Sequence, residues 1–255
     1  MEVYWLQQSE ADLPAASDWL SENEAIRLNS FRVAKRRSDW RLGRWTAKRA
    51  VAGCLKFPED SLSLRQIEII PASTGQPEVI LRDQTATVTI SISHRSGLAL
   101  CAVAFGDVSL GCDLEMIEPR SDAFVADYFT EKERELVAQS SGEGRSLLVS
   151  LLWSAKESAL KALHVGLRVD TRSVEVREVD MHGQWCAETD RRSTEGALPF
   201  QLSNISAANW RSMQVQFAGG TAFCGWWQRS NNIVRTIVSA PPPDPPDELG
   251  RRYVG

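Results

Sequence analysis

Residues Thr87 to Glu115 read TVTISISHRSGLALCAVAFGDVSLGCDLE, and the fold turns on how they are read. From Thr87 to Ser93 the residues alternate. Val88, Ile90 and Ile92 face one way and Thr89, Ser91 and Ser93 the other, the period-two pattern of a strand. Leu98 to Phe105 and Val108 to Glu115 read as two more strands, joined at Gly106-Asp107, a hairpin signal. Upstream, Val3 to Leu6 reads as a short strand, and Ser21-Glu22-Asn23-Glu24 is a capping box that starts a short helix. A longer helix spans Ala34 to Leu55 and stops before Phe57-Pro58; Leu64 to Ile70 reads as a strand, and Pro71 to Pro77 as a turn. Downstream, a second capping box at Thr130 starts a helix that ends near Gln139. After the loop Ser140 to Gly144 a strong helix runs from Ser146 to His164. Strands follow at Val174 to Val179, Gln184 to Glu188, Met213 to Phe217 and Ala222 to Trp227. Strands that follow helices in runs predict an α+β fold rather than a wound parallel sheet. No sequence repeat is apparent, yet the order of elements repeats, with a break near Gly106 to Ser109. The expected division is 1–107, 108–230, and a disordered tail at 231–255 containing Pro241-Pro242-Pro243-Asp244-Pro245-Pro246.

Composition excludes several classes of function. A chain of 255 residues that is 43% hydrophobic and 24% charged has the profile of a soluble globular protein. Its net charge of -4 argues against general nucleic-acid binding. The charge is uneven, however. Arg32 to Arg49 carries eight basic residues against Asp39, which points to a local anionic ligand. Five cysteines without a C-x-x-C spacing, and three histidines, disfavour a zinc site. The first residues lack a secretory pattern, and no apolar run reaches membrane-spanning length. The expectation is a cytoplasmic monomer.

Three short motifs carry the chemistry. Gly111-Cys112-Asp113-Leu114-Glu115 places two carboxylates on one face of a strand, with Cys112 and Leu114 on the other. Such a pair can hold Mg²⁺, although taken alone it reads more readily as a solvated acidic edge. Trp153, Glu157 and Lys161 share one face of the strong helix, which adds a third carboxylate and an ammonium. Ser91-Ile92-Ser93-His94-Arg95 ends a strand in groups suited to phosphate. No G-x-S-x-G accompanies His94, so a hydrolase triad is rejected. A kinase-like site is rejected too, because no G-x-x-x-x-G-K-[ST] loop is present.

Together the motifs resemble the Sfp-type 4'-phosphopantetheinyl transferase family. Its pattern G-K-P, S-H, G-[IV]-D-[IV]-E, F-[FS]-x-x-E and W-[ST]-x-K-E-[SA]-x-x-K is met by Gly75-Gln76-Pro77, Ser93-His94, Gly111 to Glu115, Phe129 to Glu133 and Trp153 to Lys161. Gln76 replaces the usual lysine, and Cys112 an aliphatic residue. The resemblance implies two similar α+β halves related by a pseudo-twofold axis. Coenzyme A would lie between them, and its phosphopantetheine would pass to a serine of an apo acyl or peptidyl carrier protein. It implies Mg²⁺ on Asp113, Glu115 and Glu157, and phosphate contacts from Lys156 and Lys161. Glu157 would be the general base, with Glu133 a weaker candidate. Ser93 and His94 would contact the 3'-phosphate. Arg37, Arg44 and Lys48 of the early helix, and the Gly75-Gln76-Pro77 loop, would bind the nucleotide. No nucleic-acid or membrane partner is expected. A catalytically silent homologue that only binds carriers is the alternative; the intact carboxylate set speaks against it.

Overall fold

The Ser21 hydroxyl accepts the Glu24 N–H, and the Glu24 carboxylate accepts the Ser21 N–H, so the predicted capping box closes and starts α1 (Glu22–Ser30). Helix α2 spans Ala34–Leu55, with the predicted bounds. The computed structural model describes residues 1–180 and 209–250. Strand β1 (Val3–Ser9) precedes these helices. The short α3 (Ser61–Arg65), β2 (Ile67–Pro71), β3 (Pro77–Leu81), β4 (Gln84–Thr85), β5 (Val88–Arg95) and β6 (Leu98–Phe105) follow. Then come β7 (Ser109–Met116), α4 (Asp122–Tyr128), α5 (Glu131–Ala138), α6 (Gly142–Ala162), β8 (Val174–Val179), β9 (Arg211–Phe217), β10 (Ala222–Ser230), β11 (Ile233–Ala240) and β12 (Asp247–Glu248). The fold is mixed α+β, as expected.

Three sheets form, ordered β12-β1-β6-β5, β7-β11-β10-β9-β8 and β2-β3-β4. Alternation divides each central strand between two cores. Cys101 and Val103 of β6 join α2 in one core. Leu100, Ala102 and Ala104 face the other way and meet Leu110, Cys112 and Leu114 of β7. On the far side of β7, α6 packs its small residues against the sheet. Ser154 and Ser158 both hydrogen-bond Thr236 Oγ1 of β11, at 2.8 and 2.7 Å, and Ser150 donates to the Met116 carbonyl. A Cβ added to Gly111 would lie 1.8 Å from the Ser158 carbonyl oxygen, so the strand and helix backbones touch at that point. Gly111→Ala is therefore expected to cost about 3 kcal/mol, the upper part of the range for overpacking. Thermal unfolding of the variant would measure this.

Four sequence expectations need correction. Leu64 belongs to α3, because the Asp60 carboxylate caps Leu62 and Ser63 and pulls the segment into a helical turn before β2 begins. Gly106-Asp107 is no hairpin. β6 pairs with β1 and β5, whereas β7 pairs with β11, so the chain changes sheets there. Ser121 caps a helix, α4, that was not expected. The supposed tail is largely ordered. β11 is the strand between β7 and β10, and β12 pairs with β1. The prolines lie between these two strands, where a missing N–H does no harm. The strand expected at Gln184 to Glu188 lies outside the described residues.

A cationic cleft beside three carboxylates

Strand β5 runs beside β7, and side chains stitch the seam. Ser91 Oγ accepts the Cys112 N–H at 2.9 Å, and Ser93 Oγ donates to Asp113 Oδ1 at 2.7 Å. Alternation of β5 turns its hydroxyls toward β7, as its sequence predicts. Two pockets open along this seam. The smaller, of about 420 Å³, is lined by Ser93, His94, Asp113, Glu115, Glu157 and Lys161, so six of the predicted residues converge there. The larger, of about 740 Å³, adjoins it and shares Ile92, His94 and Lys161. Its walls include the Gly75-Gln76-Pro77 loop and Arg27, Arg36, Arg44 and Lys161, against the one acid Asp39, while the Arg168 guanidinium at its mouth donates to the Thr74 carbonyl. That balance suits a polyanion.

In the smaller pocket Lys161 Nζ bonds Asp113 Oδ1 at 2.8 Å and the Cys112 carbonyl at 3.0 Å. Burial pulls its ammonium down, but Asp113, Cys112 and Glu157 lift it above the ordinary lysine value overall. Burial and the neighbouring Asp113 push the Glu115 carboxyl up, against the pull of Arg95 and Arg120. Burial, then Asp113, also raises Glu157, with Lys161 opposing. Asp113 Oδ2 is buried without a hydrogen-bond partner among the described residues. Three carboxylates, two of them destabilised as anions and one with an orphaned oxygen, suit a hard divalent cation that takes oxygen ligands. In the side-chain arrangement seen, however, no group of three such residues is drawn together closely enough to hold an ion, among the described residues. The positive charge there comes instead from Lys161 on Asp113 and from Arg95 and Arg120, each 3.5 Å from Glu115.

Other predicted residues stand elsewhere. The Ser93 hydroxyl donates to Asp113, which makes it an orienting group for that carboxylate. His94 is exposed where the two pockets join. Arg44 lines the larger cleft and stacks on Trp40. Arg37 does not line it and bonds Asn29 instead; Arg36, one residue earlier, takes the cleft position because each residue turns the helix face by about 100°. Lys48 and Lys156 are not ligand contacts. Both side chains are fully buried in internal ion pairs, Lys48 with Glu24 and Lys156 with Glu133.

These two pairs are built alike. Glu24 and Glu133 each stand three residues after the capping Ser21 or Thr130, and each also accepts a strand N–H, from Ile69 and Val176. Each ammonium also donates to two carbonyls, those of Trp19 and Leu64 and those of Thr171 and Val174. A short repeat underlies this: Trp45-Thr46-Ala47-Lys48 and Trp153-Ser154-Ala155-Lys156. The sequence reading missed it, and it was the available signal that both lysines serve the fold. Glu133, buried in its pair, is likewise no free base. Lys156→Met should leave Glu133 uncompensated, costing about 3–5 kcal/mol. Calorimetry should show a melting temperature lower by roughly 10 °C. A lysine that served only as a phosphate contact would leave it unchanged.

Sequence reasoning also missed Arg120, which lies over Phe124 and pairs with Glu115 and Glu118. Phe124, Tyr128 and Trp153 form an aromatic cluster at the carboxylate pocket, with ring centroids 4.9 to 5.1 Å apart.

An α+β chain with a cationic cleft opening onto a carboxylate-lysine pocket has the charge arrangement suited to phosphorylated anions. The family model described as the 4'-phosphopantetheinyl transferase superfamily matches residues 109–238, half of the chain. The chain belongs to that superfamily. It is 29% identical over 164 residues to the 4'-phosphopantetheinyl transferase HetI of Nostoc sp., covering 64% of this chain and 67% of that one. It is 26% identical over 190 residues to the mouse L-aminoadipate-semialdehyde dehydrogenase-phosphopantetheinyl transferase, covering 68% of this chain and 59% of that one. No helix among the described residues is long and apolar enough to cross a membrane.

Proposed function

We propose that the protein transfers the 4'-phosphopantetheine group of coenzyme A to a serine hydroxyl of an apo acyl or peptidyl carrier protein, with 3',5'-ADP as the other product. The observation that carries this reading is the convergence of Asp113, Glu115, Glu157 and Lys161 in a pocket that opens onto a cationic cleft. Coenzyme A lies in the larger cleft between two similar halves, with its pyrophosphate toward the carboxylates. The Gly75-Gln76-Pro77 loop, Arg44 and His94 line its path. Asp113, Glu115 and Glu157 would hold Mg²⁺, which when bound neutralises phosphate charge and orients the phosphates for displacement.

The residues of the chain do the rest. Lys161 is held charged by its carboxylate neighbours and faces both pockets, so it can follow the phosphate charge that develops during transfer. Ser93 fixes the Asp113 carboxylate through its hydroxyl. Glu157, in the same pocket, accepts the proton of the carrier serine, directly or through water. Mg²⁺ dependence, a monomeric cytoplasmic enzyme and the absence of nucleic-acid or membrane partners belong to the same proposal. Chromatography of a reaction containing the protein, coenzyme A, Mg²⁺ and an apo-carrier should show 3',5'-ADP accumulating in step with modified carrier. A carrier whose acceptor serine is replaced by alanine should give none. Nucleotide release that ignores that serine would contradict the proposal.

A further inference from the structure

The mouth of the larger cleft has two lips, tied to the rest of the fold in different ways. One is the tip of the β2–β3 hairpin at Thr74 to Pro77. Thr74 and Gly75 are exposed, Gly75 has φ of 90°, and a Cβ built on it meets nothing within 4 Å. Among the described residues, the turn's own bonds brace this tip from within, Ala72 N–H to Gln76 O at 2.8 Å, Gly75 N–H to Ala72 O at 2.9 Å and Gln76 N–H to Thr74 Oγ1 at 3.4 Å. The other lip is the chain leaving α6. His164 takes φ of 56° and its N–H bonds the Lys161 carbonyl at 3.0 Å, while the Val165 N–H reaches the Leu160 carbonyl at 3.2 Å. This left-handed cap ties the turn to a buried helix. Gly166, at φ of 55°, turns the chain again into a short 3-10 turn that ends at Arg168. From there Arg168 Nη2 donates to the Thr74 carbonyl at 3.1 Å. Thr74 to Pro77, Gly166 and Arg168 all line the same cleft.

We propose that Arg168 is a positioning residue, a clasp by which the lip capped onto α6 holds the exposed hairpin tip in place over the cleft. The proposal rests on the reading of that cleft as the coenzyme A site. A tip ordered before the ligand arrives need not be ordered on binding, so the clasp raises affinity. It acts on a backbone carbonyl of the tip and leaves the carboxylate pocket untouched. The effect therefore falls on binding and not on the turnover of bound substrate.

Three measurements on the full chain carrying Arg168→Ala test this. Amide exchange at Gly75 and Gln76, followed without ligand, should become faster while exchange in α6 and β7 stays the same. The calorimetric Kd for coenzyme A should weaken about tenfold, with its dependence on salt unchanged. At saturating coenzyme A, kcat should stay within about twofold of the unaltered protein. Unchanged tip exchange, or an unchanged Kd, would overturn the clasp. A weakened Kd with a clearly shallower salt dependence would overturn it too, because Arg168 would then contact a phosphate directly. If the unaltered protein binds no coenzyme A, the functional reading fails, and the exchange result still decides whether Arg168 holds the tip.

Discussion

A chain ending at Ser230 should fail to fold. Strand β11 lies beyond that point and forms eight residue pairs with β7 and seven with β10. It is the partner through which β7 joins the five-stranded sheet. Val234, Thr236, Ile237 and Val238 are fully buried, and Thr236 anchors Ser154 and Ser158 of α6. Losing the apolar side chains alone removes about 1.5–3 kcal/mol each. The sheet and its helix contacts go with them, against a total stability of about 5–15 kcal/mol. A chain ending at Ala240 keeps β11. It loses the short pairing of Tyr4 and Trp5 with β12 and the packing of Leu249 on Gly53, and should still unfold cooperatively at a lower temperature. A cooperatively melting chain of residues 1–230, seen by calorimetry and near-ultraviolet circular dichroism, would contradict this account.

The second large effect is at Asp113. Its carboxylate receives Ser93 and Lys161, keeps one oxygen without a partner among the described residues, and repels Glu115 and Glu157. It is thus the electrostatic centre of the pocket. Asp113→Ala should lower kcat/KM by on the order of a thousandfold, about 4 kcal/mol of transition-state stabilisation. Asp113→Asn is the sharper variant. It keeps the volume and the hydrogen bond from Ser93 but removes the charge that orients Lys161 and would bind a cation. Its activity should fall nearly as far while its melting temperature changes little. An Asn variant within tenfold of full activity would show that the charge of Asp113 is dispensable.

Much of the fold could be read locally. The α2 bounds followed from helical spacing and the Phe57-Pro58 stop, and both capping boxes closed as their residues require. The alternation of β5 foretold which hydroxyls meet β7, and six motif residues converged on one pocket. What could not be read was non-local. Gly106-Asp107 looks the same whether the chain doubles back or changes sheets. A lysine on a helix, taken without the repeat shared by Trp45 to Lys48 and Trp153 to Lys156, does not reveal that a glutamate some two dozen residues earlier will bury it. The proline cluster masked the strand before it. Ile233 to Ala240 is buried on both faces, but Arg235, Thr236 and Ser239 break the apolar run that would mark an interior strand. Arg37 and Arg36 show the finest limit, because one residue along a helix decides which guanidinium reaches the cleft.

The intact mass of an apo-carrier protein, recorded before and after incubation with this protein, coenzyme A and Mg²⁺, tests the central claim most directly. The account predicts a gain of one phosphopantetheine group, lost when the metal is chelated or when Asp113→Asn replaces the unaltered enzyme. Carriers of several classes that keep their mass in the presence of folded protein, coenzyme A and Mg²⁺ would contradict it.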